Sequence, residues 1–211
     1  GLEKSTLRPT LTSSSFSRYS RSWRLVTYIP SRPANGELFT RKFTVMVGSS
    51  MAMAGMMTDE PVPMDLTEAH ILKLREYLDR GGFLMLDDIH GDEDMVPLAA
   101  TFERIFPEQP FVELSTSHEL FHAFFDIDTI IQVVHDGIAM CKTCQQWENG
   151  PSGEHPRVLA HYGIDGIDTV VMVNNDLGDA AEWLDDTLYP REMSIFAVKM
   201  LLNTVVYALS H

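Results

Sequence analysis

Two short apolar runs without polar alternation, Phe43-Thr-Val-Met-Val47 and Phe83-Leu-Met-Leu86, limit what this chain can fold into more than any other feature. A half-exposed strand alternates apolar and polar residues, whereas a continuous run of this length reads as a strand covered on both faces. Between them, Asp65-Leu-Thr-Glu68 reads as an N-cap with a carboxylate three residues on, and Ile71, Leu74 and Leu78 follow on one helical face. Gly81-Gly82 then supplies the left-handed residue that ends a helix. A strand, a helix over residues 66–80 and a second strand make a crossover unit, so residues 43–47 and 83–86 are expected to pair in parallel, with the helix crossing right-handed.

The remaining pattern extends this unit. Leu25 to Ile29 offers an earlier strand, and Thr169-Val-Val-Met-Val173 a later one that stops at Asn174-Asn175-Asp176. Residues 169–173 are expected beside or near the first two strands in the same sheet. Helices fit Met95–Phe106 and Glu192–Leu209, the second following Pro190 and carrying Ile195, Val198, Leu202, Val205 and Leu209 as its apolar stripe. The expected fold is α/β, an open and mostly parallel sheet with helices on both faces. Polar loops fall at residues 30–40 and 142–156, no internal repeat is evident, and 211 residues suit one domain.

Charge narrows the range of partners. Thirty acidic against sixteen basic side chains give a net −14, which disfavours nucleic acid and anionic lipid. Residues 1–24 run the other way, with Lys4, Arg8, Arg18, Arg21 and Arg24 against Glu3, so residues 1–22 read as a flexible, basic, Ser-rich arm ahead of the domain. This arm has no secretory apolar stretch, and the uncharged segment Phe43–Thr58 is too short and too interrupted to span a bilayer, so no transmembrane segment is expected. Cytoplasmic and exported placements both fit. Cys141 and Cys144 form one C-x-x-C in a polar loop, which reads as a local disulfide or as two free thiols.

Ligands in open α/β sheets bind at the carboxyl ends of strands. That edge would gather Gly48, Ser49 and Ser50, then Asp87, Asp88 and His90, then Asn174, Asn175 and Asp176. Such an oxygen-rich set suits a hard cation such as Mg²⁺ or Ca²⁺, or a polyhydroxylated ligand, while the plainer alternative is that these residues cap helices. Asp92, Glu93 and Asp94 read as a solvated face. His118-Glu-Leu-Phe-His122 matches the zinc motif H-E-x-x-H, with Glu119 as water activator, on a helix expected from about Ser117 to Phe125. No third ligand stands at a diagnostic spacing, and packed or loop-capping histidines are the alternative. Met46, Met51, Met53, Met56, Met57 and Met64 could offer thioethers to Cu(I) or fill core gaps. Trp183, after Asp176-Leu177-Gly178, is either a lid on the same rim or core packing.

Four segments resemble the bacterial domain-of-unknown-function 4159 family: LREYLDRGGFLMLDD (74–88), FPEQPFVELSTSHELFHAFFDI (106–127), NNDLGDAAEW (174–183) and LLNTVVYALSH (201–211). The likeness covers roughly residues 23–211 and implies a class I glutamine amidotransferase-like, flavodoxin-like fold, often in an exported protein, with no established activity. In amidotransferase relatives the turn after the strand equivalent to Phe83–Leu86 holds a nucleophilic Cys, where this chain has Asp87-Asp88-Ile89-His90. Family relatives usually carry Pro at the position of Glu119. The expectation is therefore a non-catalytic binding or assembly module, with no catalytic residue, engaging a partner protein, a second copy or a small polar ligand at the strand-end rim. The alternative is a metal-dependent hydrolase, built on the H-E-x-x-H zinc site or on an acidic cation site, with Mg²⁺, Ca²⁺ or Zn²⁺ as the candidate ion.

Overall fold

The computed structural model describes residues 24–27, 43–47, 66–107 and 109–211, the first two segments as backbone only. Ser49, Ser50, Asp65, the basic arm and the Met-rich stretch beyond Met46 lie outside these residues. One six-stranded sheet forms from β1 (Arg24–Thr27), β2 (Phe43–Val47), β3 (Phe83–Ile89), β4 (Val112–Glu113), β5 (Arg157–Gly163) and β6 (Gly166–Val173), in spatial order β1-β2-β3-β6-β5-β4. The helices are α1 (Glu68–Asp79), α2 (Gly91–Ile105), the one-turn α3 (Asp136–Ala139), α4 (Leu177–Glu182) and α5 (Arg191–Ser210).

The two apolar runs pair in parallel, Phe43 opposite Phe83, and β3 pairs in parallel with β6 on its other side. The sheet is mixed, however, and not mostly parallel. β1 runs antiparallel to β2, and β6, β5 and β4 form an antiparallel meander. The cause is local: β5 and β6 join through a tight turn, with Gly163 opposite Gly166 and a left-handed Gly166, and so short a link allows only a hairpin. No strand is expected from the sequence at residues 157–163, where a buried His161, held by Asp168 at 2.8 Å and stacked on Phe106, stands within the apolar run.

Helices cover both faces. Leu84, Leu86, Val171 and Val173 pack with Ile71 and Leu78 of α1 and Leu98, Phe102 and Ile105 of α2. Phe83, Met85, Val170 and Met172 pack with Leu177 and Ala180 of α4 and Phe196, Ala197, Met200 and Tyr207 of α5. α1 starts two residues later than the sequence suggests: its N-cap is Thr67 and not Asp65, and the Thr67 hydroxyl accepts from the His70 amide. Its end is the expected glycine stop: Gly81 takes φ 77°, and its amide and that of Gly82 return to the carbonyls of Leu78 and Tyr77.

The face of α5 departs from the sequence expectation. Ile195, Leu202 and Leu209 point outward, and the buried side is Ser194, Ala197, Met200, Asn203, Thr204, Tyr207 and Ala208. Small and hydroxylated residues let the helix sit close to the sheet, and Thr204 and Asn203 satisfy their polar groups on Met200 and Phe125 carbonyls, so the more hydrophobic stripe is not the packed one. By length and hydropathy α5 could cross a membrane, though nearly half of its apolar window is buried against the domain.

Candidate functional site

The parallel arrangement of β2, β3 and β6 brings their carboxyl ends to one edge, and two left-handed residues shape it. Asp88 (φ 62°) is an extra residue in β3: the register with β6 shifts between Leu86 and Ile89, so Ile89 faces the same side as Leu84 and Leu86. Asp87 shares the face of Phe83 and Met85 and so faces α4, where its carboxylate accepts from the amides of Leu177 (3.2 Å) and Gly178 (2.8 Å). Asn174 (φ 60°) ends β6. Its side-chain oxygen accepts from Gly91 N at 2.8 Å, and its amide donates to the carbonyls of Ser152 (3.0 Å) and His155 (2.8 Å). Non-glycine residues in this region are costly and concentrate at functional sites.

Asn175 accepts from the Val133 amide at 2.6 Å, and its own carbonyl takes the Asp88 amide, which joins the two strand ends. Asp176 caps α4 through the Asp179 amide. Burial, reinforced by Asp88, Asp87 and Asp179, raises the Asp176 carboxyl to about 10. Burial also raises Asp87, to about 6, against the pull of the Leu177 and Gly178 amides. Among the described residues no Lys or Arg forms an ion pair with either group.

His90 is fully buried at the start of α2. Its main chain is fixed at both ends, the amide donating to Asp94 and the carbonyl accepting from Asn149. Asp94 thus has a structural task, while Asp92 and Glu93 are exposed as expected. Neither ring nitrogen makes a hydrogen bond. Nε2 lies 3.2 Å from Asp88 Oδ1 and 3.7 Å from Glu148 Oε1, and burial holds the imidazole below its usual pKa against the pull of Glu148, Asp94 and Asp87. Asp88, His90 and Glu148 are also the described His, Cys, Asp and Glu side chains whose donor atoms lie close enough to share one ion. Glu148 was not visible as a candidate in the sequence, because it comes from the polar loop 142–156 and no motif links it to β3.

The H-E-x-x-H segment sits elsewhere and is not an α-helix. Only residues Glu119–His122 form a 3₁₀ turn, since the amides of Phe124 and Phe125 go to the Asn203 side chain instead of to carbonyls a turn earlier. His118 caps the turn through Nδ1. His122 is engaged at both nitrogens, by Asp126 and the Thr116 carbonyl, which raise its pKa. Glu119 is largely exposed and lies 3.4 Å from His211. We expect Glu119→Gln to change the melting temperature by less than about 4 °C, because an exposed pair of this kind contributes at most ~1 kcal/mol. A loss of bound zinc on this substitution would revive the motif as a metal site.

Trp183 is half-buried against the α4 and α5 core, at the far end of α4 from Asp176. Cys141 and Cys144 are joined in a disulfide, and among the described residues no cysteine is free. A cavity of about 410 Å³, lined by Phe106, Gln109, His161 and Tyr162, lies at the opposite edge of the sheet from the acidic rim.

The family model described as Domain of unknown function (DUF4159) matches residues 56–209, and the chain belongs to that family. The matched span holds every rim residue from β3 and β6 together with Glu148. No curated protein matches the chain.

Proposed function

We propose that this chain is a non-catalytic binding module whose acidic strand-end rim takes a small cationic or polyhydroxylated ligand, and which also engages a protein partner. One observation carries the reading: Asp87 and Asp176 are buried side by side at the ligand-binding edge of an open α/β sheet, without a described Lys or Arg to offset them. Buried carboxyls in such a position cost stability, and groups that cost stability are characteristic of sites kept for binding. An amidotransferase-like, flavodoxin-like ancestry is in keeping with this. The turn that would hold the nucleophile carries Asp87 and Asp88, and both cysteines are committed to a disulfide in a distant loop. That disulfide favours an oxidising compartment, in line with export. The outward stripe of Ile195, Leu202 and Leu209 favours a protein partner or self-association.

A metal-dependent hydrolase is the second reading, favoured by the grouping of Asp88, His90 and Glu148. Calorimetric titration with Mg²⁺, Ca²⁺, spermidine and glucose tests the first. At least one probe should give saturable heat, and Asp176→Asn should weaken it roughly tenfold or more while the melting temperature rises. No heat with any of the four would remove the rim as a ligand site.

A further inference from the structure

We propose that Asp88, His90 and Glu148 form a binding site for one first-row divalent transition-metal ion, with Zn²⁺ and Mn²⁺ as its probes. The proposal rests on the rim reading above and gives it a defined ion and ligand set. Donor atoms sharing an ion at about 2.1 Å stand about 3 to 3.5 Å apart. His90 Nε2 lies within this spacing of Asp88 Oδ1, at 3.2 Å, and slightly beyond it from Glu148 Oε1, at 3.7 Å, and the donor atoms of all three residues lie within 4.8 Å of one another.

The imidazole supplies the independent observation. It is fully buried, its ring nitrogens have no hydrogen bond, and Nε2 is the ring nitrogen that lies beside both carboxylates. An unsatisfied buried polar side chain costs about 1 to 3 kcal/mol, which a coordinated ion would offset. Each ligand is also fixed from outside the cluster. Asp88 is placed by the β3 bulge, His90 by main-chain bonds to Asp94 and Asn149, and Glu148 Oε1 by the His135 amide at 3.1 Å. Such outer bonds are what orient ligands in metal sites.

The donor set selects the ion. One imidazole with two carboxylates is softer than the all-oxygen shells that Mg²⁺ and Ca²⁺ prefer, and harder than a thiolate site. Three protein ligands leave further coordination positions, open to water or to an oxygen of a ligand in the rim.

The test uses the whole chain, stripped with a chelator, loaded with Zn²⁺ or Mn²⁺ and desalted. Mass spectrometry of metals should find about one ion per chain. Calorimetry should show affinity falling roughly 100-fold in His90→Ala and roughly tenfold in Glu148→Gln. His122→Ala should bind as the native chain does, which excludes the H-E-x-x-H turn as the source. Should the buried variants fail to fold by circular dichroism, spin-echo modulation of Mn²⁺ on the native chain should show ¹⁴N coupling from one imidazole. Substoichiometric metal, native affinity in a folded His90→Ala, or bound Mn²⁺ without nitrogen coupling would each overturn the site. If these fail while glucose or spermidine still binds in an Asp176-dependent way, the metal site falls and the rim reading stands. Metal bound through His90 with no response to the other probes gives the reverse.

Discussion

Asp176→Asn should make the chain more stable, and the gain should widen as pH rises from 5 to 9. The carboxyl of Asp176 has a folded pKa of about 10 against about 4 in the unfolded chain, because burial and the neighbouring Asp88, Asp87 and Asp179 disfavour its charge. A group whose folded pKa is raised binds more protons when folded. Its contribution is therefore most favourable below pH 4 and is lost progressively as pH climbs toward 10, at up to about 1.4 kcal/mol per pH unit. Asparagine never has to take up that proton, yet its side-chain oxygen can still accept the Asp179 amide that Asp176 caps. At pH 7 we expect a gain of roughly 1 to 3 kcal/mol, or about 3 to 10 °C in melting temperature. Thermal unfolding of both proteins at pH 5, 7 and 9 measures it. A difference that is flat with pH, or that favours the native residue at pH 9, would mean that Asp176 is ionised and compensated in the fold. Asp87 adds to the native chain's slope only between about 4 and 6, and the shifted His90, His122 and Asp179 are common to both proteins, so the difference between them above pH 6 belongs to Asp176.

Legibility in the sequence followed the range of the signal. The crossover unit could be read because α1 announces itself within a few turns, through a capped first turn, an apolar face and a glycine stop, and because β3 lacks alternation over its whole apolar run. Parallel pairing of β2, β3 and β6 then placed Asp87, Asp88, His90, Asn174, Asn175 and Asp176 at one edge without further information. The antiparallel β5 was harder, since a buried His161 interrupts its apolar pattern and its partner Asp168 is known only once the hairpin has formed. The face of α5 was misjudged because hydrophobicity alone chose Ile195, Leu202 and Leu209, whereas close packing chose Ala197, Met200 and Thr204. The zinc motif was a spacing without a scaffold. A second helical turn would have needed the Phe124 and Phe125 amides that Asn203 takes from 78 or more residues away. Glu148 was invisible for the same reason in reverse: nothing local marks it, and only the closing of a long loop over α2 brings it to His90.

That closing depends on Asn174, and Asn174→Ala should be among the most damaging single substitutions in the chain. The side chain bridges the start of α2 to the loop that carries Glu148, accepting from Gly91 N and donating to the Ser152 and His155 carbonyls. Alanine leaves a buried amide and two carbonyls without partners, at about 1 kcal/mol or more each, and it also keeps a Cβ on a residue at φ 60°. The expected loss is roughly 3 to 5 kcal/mol, read from the denaturant midpoint at constant m-value. Asn174→Gly should lose about 1 kcal/mol less than alanine, since glycine tolerates the left-handed backbone but restores none of the bonds. Asn174→Asp should fall near alanine. It keeps the acceptor for Gly91 but turns a carboxylate toward two carbonyl oxygens that need a donor. This order, glycine above alanine with aspartate no better than alanine, separates lost hydrogen bonds from backbone strain. If glycine instead matched the native chain, strain would account for the whole effect and the loop bearing Glu148 would be held by other contacts. A further consequence concerns the site itself. In the glycine variant, rim or metal affinity should fall more than stability does, because the Glu148 loop is loosened while the sheet beneath it stays intact.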